Sequence, residues 1–106
     1  MPKYLFESRY TAEGAKGIAK EGGSARRAAT AKALESVGGK LESFYFAFGD
    51  VDVFMIVDLP DNATAAAAVI AANEVGASMA RTVVLLAPEE IDAAVKKVYD
   101  WRVPGR

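Results

Sequence analysis

Three acids stand in one short stretch, FAFGDVDVFMIVDLPDN (residues 46–62): Asp50, Asp52 and Asp58, threaded through apolar residues that favour a strand. Such a trio suggests either metal ligation or acid–base chemistry. A hard cation needs several oxygen ligands converging from one or more loops, and two aspartates flanking Val51 supply only a pair. Asp50, beside Gly49, reads as a turn residue, and Asp58 as a strand-exit residue before Pro60. Asp52 is the candidate catalytic carboxylate. It opens an otherwise apolar strand, where burial would raise its pKa and suit it to proton transfer; the competing reading is an ion pair with Arg81 or Arg9. Tyr45 is the phenol nearest to it in sequence and the second catalytic candidate. Tyr10, Tyr45 and Arg81, with Ser8 or Glu7 according to the pleat, are candidate ligand-binding residues, since a tyrosine packs its ring while its hydroxyl bonds and an arginine holds an anion. Arg27, with Arg26, follows Gly22-Gly23-Ser24 and could hold a carboxylate or phosphate at a helix N-terminus. The competing reading is a solvated, partly ion-paired surface, and the phosphate-loop pattern Gly-x-x-x-x-Gly-Lys-Ser/Thr is absent.

Composition removes several other chemistries. The chain has no cysteine and no histidine, which excludes disulfides, thiol nucleophiles, a Ser-His-Asp triad and any metal site built on Cys or His. No cofactor is expected. The net charge of −1 argues against nucleic-acid and anionic-membrane binding, both of which depend on a basic surface. The aromatic run KLESFYFAF (residues 40–48) lacks the glycine and valine placement of an RNA-binding strand and reads as core. The N-terminal MPKYLFESRY has no signal-peptide apolar region, and no apolar run reaches spanning length, so a cytoplasmic location is expected.

These candidates need elements to position them. Residues 3–10 read as a strand. Thr11 caps a helix through AEGAKGIAKE, and Gly22-Gly23 breaks it. Ser24 is the expected N-cap of a second helical segment, ARRAATAKALESV, stopped by Gly38-Gly39. Ala25, Ala29, Ala33 and Val37 make a small-residue stripe suited to lying close against a sheet. Residues 40–48 read as a second strand, Gly49-Asp50 as a tight turn, and VDVFMIVDL as a third strand. Asp61 or Asn62 caps the alanine-rich helix ending at Gly76, SMARTVVLL is a fourth strand, and Pro88 opens a final helix, PEEIDAAVKKV. The 106 residues thus form one domain (1–106) with an irregular tail at 97–106. The order β-α-β-β-α-β plus a terminal helix is the ferredoxin-like α+β arrangement, an antiparallel sheet with helices on one face.

Both faces of that sheet are apolar. Val53, Met55 and Val57 alternate with Phe54 and Ile56, and Val83 and Leu85 with Val84 and Leu86. Helices cover one face, and water penalises the other. Packing of this second face against another copy predicts a homodimer or a higher homo-oligomer; the alternative is that the final helix or the Trp101 tail folds back over it.

The segments YTAEGAKGI, GGSARRAATAKALESVGGKLESFYFAFGDVD, DLPDNATAAAAVIAA and TVVLLAPEE resemble, in order and spacing, the GYD-domain family from residue 4 to about residue 97. The resemblance implies a dimeric α+β barrel, in which two ferredoxin-like sheets enclose a shared cavity. The family is named for a Gly, Tyr and Asp in the hairpin between the second and third strands; Gly49 and Asp52 fit, and Val51 stands where the Tyr is expected, leaving Tyr45 as the nearby substitute. Three functions are compatible with these residues. The first is a binding module holding a small apolar or aromatic molecule between the sheets. The second is a cofactor-independent oxygenase or isomerase with Asp52 as base, and the third is a protein of self-assembly alone.

Overall fold

A computed structural model describes residues 1–106. Its elements are β1 (Lys3–Tyr10), α1 (Ala12–Glu21), α2 (Gly23–Glu35), β2 (Lys40–Phe46), β3 (Val53–Asp58), α3 (Asn62–Glu74), β4 (Ser78–Leu85) and α4 (Pro88–Val95). The four strands form one antiparallel sheet in the order β2-β3-β1-β4. The fold is therefore α+β and ferredoxin-like, with two central strands adjacent in space though distant in sequence.

Strand register assigns the faces. Side chains alternate along a strand, and paired residues share a side. Tyr4, Phe6 and Ser8 are buried on the helix side, opposite Val57, Met55 and Val53 of β3 and Val84, Thr82 and Ala80 of β4. On the open side a row runs Ser43–Ile56–Leu5–Val83, and a second runs Tyr45–Phe54–Glu7–Arg81. A bulge between Leu41 and Ser43 lets Leu41 join Phe44 and Phe46 on the helix side despite their different parity.

The core is small. Tyr4, Phe6, Leu34, Val57, Leu59 and Ala65 form its cluster, with Leu41, Met55, Ala68 and Val69 packed around it. Tyr4 keeps its phenol satisfied inside this cluster by donating to Asn62 Oδ1 at 2.6 Å. At the other end of the sheet, Thr11 ties α1 to the turn before β4: its backbone N–H donates to the Ala77 carbonyl at 3.1 Å and its hydroxyl to the Gly76 carbonyl at 2.8 Å.

Three expectations need correcting. The N-cap of α2 is Gly22, with φ of 84° and no side-chain cap, instead of Ser24; glycine tolerates that left-handed backbone and turns α1 into α2 without a linker. The β2–β3 connection is also longer than a tight hairpin turn. β2 stops at Phe46 and β3 starts at Val53, and residues 47–52 form a loop that the Ala47 N–H closes on the Asp52 carbonyl at 2.8 Å. The alanine stripe of α2 does not seat the helix on the sheet either. Leu34 does so at 5% exposure, while Ala25, Ala29 and Ala33 stay exposed.

The alternative considered for the open sheet face does not hold: α4 and the tail do not fold back over it. Every residue from Leu86 onward is exposed, including Ile91, Tyr99 and Trp101. The radius of gyration is 17.0 Å, against about 13 Å for a compact chain of this length, and the long dimension is 57 Å. The C-terminal segment is an arm.

Asp61 caps α3. Its carboxylate accepts the Thr64 N–H at 2.8 Å and the Thr64 hydroxyl at 2.7 Å, and these bonds hold its pKa below the ordinary aspartate value. A depressed folded-state pKa means stability that is present above the unfolded value and is lost as pH falls through the folded one. Asp61→Ala is expected to lower the melting temperature at pH 7, and the gap between variant and parent should close in acid, below about pH 4. Thermal melts of both proteins across this range check it; a gap independent of pH would show that the carboxylate is not the cap.

Candidate functional site: a groove between helices and sheet

The two helical arms do not meet over the sheet. α2 packs toward β2, α1 lies against α2 and β1, and α3 packs toward β4, leaving a groove floored by the sheet. Phe6, Phe44 and Met55 form that floor, and its volume is about 840 Å³. Alanines of α3, among them Ala68 and Ala72, make one wall, and Gly14, Gly17 and Ile18 of α1 contribute to the other. Small side chains on facing helices are the local reason for the space, because leucines at those positions would fill it.

One end of the groove is polar. Ser8, Tyr10 and Ser78 border it; Tyr10 and Ser78 are cross-strand partners, and Ser8 lies two residues before Tyr10 on the same side. Arg26 and Glu21 stand beside them, joined through the arginine Nε and a glutamate oxygen. That bond holds the Glu21 carboxyl below its ordinary range and raises the Arg26 guanidinium further. Burial raises the Tyr10 phenol, the Arg26 charge opposes this, and the Glu21 and Asp52 charges reinforce it.

Asp52 has a clear role in building this end. One carboxylate oxygen accepts the backbone N–H of Tyr10 at 2.8 Å, and its own N–H donates to the Ser8 carbonyl at 2.9 Å. It extends the β1–β3 pairing past the last ladder residues and fixes the strand carrying Ser8 and Tyr10. Neither ion pair considered for it forms: Arg81 reaches Glu7 on its own side of the sheet, at 2.6 Å. Asp58 accepts from Lys3 at 2.8 Å, and the three aspartates do not converge into a metal-holding group.

The remaining candidates separate. Tyr10 lies on the helix side, in the groove. Tyr45, 70% exposed, and Arg81 share a row on the open side. Arg27 borders a separate shallow depression with Gly23, Ser24, Phe44 and Phe46. Residues that the sequence reading did not single out for a site are Phe6, Met55, Ser78, Glu21 and Ala72. The available signal was the paucity of large side chains on α1, α2 and α3, which leaves three helices with too little side-chain volume to close over a four-stranded sheet.

The fold and the groove define a ferredoxin-like α+β domain with a ligand-sized space under its helices. The chain belongs to the GYD-domain family, whose model matches residues 4–95. No curated protein and no solved structure gives a significant match. No helix is long and apolar enough to cross a membrane.

Proposed function

We propose that the protein is a cytoplasmic, homodimeric binding module for a small apolar or aromatic molecule, and that the groove is its binding site. The observation carrying this reading is the groove itself: about 840 Å³ falls in the range of ligand pockets, about 300–1,000 Å³, which are apolar with a few placed polar groups. Dimerisation is supported by the open sheet face, where Leu5, Phe54, Ile56 and Val83 lie uncovered by the chain's own arm. A second reading puts the ligand between two such faces, and the exposed Tyr45 beside Phe54 favours it.

Ala72→Phe separates the two. The added ring would occupy the groove and leave the open face untouched. Pyrene, followed by its fluorescence, should bind the parent protein saturably at one site per chain and bind Ala72→Phe at least about tenfold more weakly, a loss of about 1.4 kcal/mol. Equal binding by a folded Ala72→Phe protein would move the ligand out of the groove.

A further inference from the structure

We infer that the groove selects a neutral, flat, mostly apolar molecule carrying a hydrogen-bonding oxygen, with that oxygen seated against Ser8 and Tyr10; this rests on the groove reading above. Ser8 is the first ground. It is 8% exposed, it borders the groove, and its hydroxyl, which makes no hydrogen bond within the chain, keeps contact with solvent in the open groove. A ligand filling the groove would displace that water, and leaving the hydroxyl unpartnered would then be costly. A ligand oxygen at that place would supply the partner.

Tyr10 adds a donor. It stands two residues along the same face, and burial keeps its phenol protonated well past neutrality. A protonated phenol donates, so the oxygen it meets is an acceptor, as in a hydroxyl or carbonyl compound.

Charge then sets the class. The ionisable groups bordering the groove, Tyr10 apart, are Glu13, Glu21 and Arg26, and Arg26 is already bound to Glu21. A carboxylate ligand would meet two carboxylates and a guanidinium that is engaged, and its desolvation would go uncompensated. A neutral head meets no such penalty. Flatness follows from the floor and wall: the rings of Phe6 and Phe44 and the Met55 thioether lie beneath, surfaces that favour an aromatic face.

The test compares hydroxypyrene, pyrene and pyrenecarboxylate at pH 7 against the purified full chain, by fluorescence titration. Hydroxypyrene is expected to bind about fivefold tighter than pyrene and at least about tenfold tighter than pyrenecarboxylate. Ser8→Ala and Tyr10→Phe should each weaken hydroxypyrene about fivefold and leave pyrene unchanged. Because Ser8 is buried, the Tyr10→Phe arm keeps the test decisive if Ser8→Ala does not fold. Pyrenecarboxylate binding as tightly as hydroxypyrene, or hydroxypyrene affinity indifferent to the folded variants, overturns the inference while the groove reading stands. Absence of saturable binding by all three compounds removes both.

Discussion

Gly14→Ala is expected to destabilise the protein by about 2 kcal/mol or more, and Gly17→Ala, three residues along the same helix, to stabilise it by about 0.5–1 kcal/mol. The opposite signs come from what a methyl group would meet. At Gly14 a Cβ would collide with the Ala77 carbonyl oxygen. That oxygen cannot retreat easily, since it accepts the Thr11 N–H at 3.1 Å and the Thr11 hydroxyl at 3.2 Å. Thr11 in turn accepts the Gly14 N–H at 3.2 Å as the helix cap. Moving α1 outward to admit the methyl would break this set of bonds together. At Gly17 nothing lies within 4 Å of the added carbon, so only the intrinsic helix preference of alanine acts. For a domain of this size about 1 kcal/mol corresponds to roughly 4–8 °C in Tm, so the two variants should melt on opposite sides of the parent. A Gly14→Ala protein melting with the parent would mean that α1 is not seated on the 76–77 turn.

The glycine pair also illustrates what a sequence can carry. Both glycines weaken helix propensity equally, and nothing local distinguishes the one that touches a backbone carbonyl from the one that faces open space. Element order was legible because each boundary has a local cause: Thr11 and Asp61 as caps, Pro88 in the first turn of α4, and the positive-φ glycines Gly38 and Gly76 at helix ends. The two-faced apolar character of β3 was legible for the same reason, since Val53, Met55 and Val57 must oppose Phe54 and Ile56 whatever the partner strands.

The site was harder to read because it depends on non-local distances. Asp52 stands out in sequence as an acid in an apolar strand, yet its use is decided by Tyr10, forty-two positions away, whose amide it accepts. Tyr10 and Tyr45 look equivalent as amphipathic residues at strand ends, and the bulge at Leu41/Ser43 together with the strand order sends them to opposite sides of the sheet. The groove itself is a consequence of volume. Alanine-rich helices pack well in isolation, and only their placement over different strands shows that the space between them is unfilled.

Ile56→Glu is expected to convert a homodimer into monomers, weakening self-association more than about a hundredfold. Ile56 stands in the row Ser43–Ile56–Leu5–Val83 across all four strands of the open face. In a single chain this face contacts solvent, so a carboxylate there can stay hydrated and the fold should persist. Between two packed sheets, the same carboxylate would be withdrawn from water opposite apolar side chains, with its two-fold copy close by. The Glu7–Arg81 pair in the neighbouring row cannot neutralise it, because both of its charges are already matched. The size of the face sharpens the expectation. Four strands at about 4.8 Å spacing and six residues of about 3.3 Å cover roughly 400 Å² in projection, less than the roughly 800 Å² per partner of a standard stable interface. The arm carrying Ile91, Val95, Tyr99 and Trp101, all exposed, is a further apolar surface available to make up the difference. Deleting residues 88–106 should therefore also weaken association, although by less than Ile56→Glu. Sedimentation equilibrium over a concentration series reads both variants against Lys32→Glu on the exposed side of α2. A parent protein that is monomeric at micromolar concentration, or an Ile56→Glu protein that still dimerises, would remove the open face from the assembly.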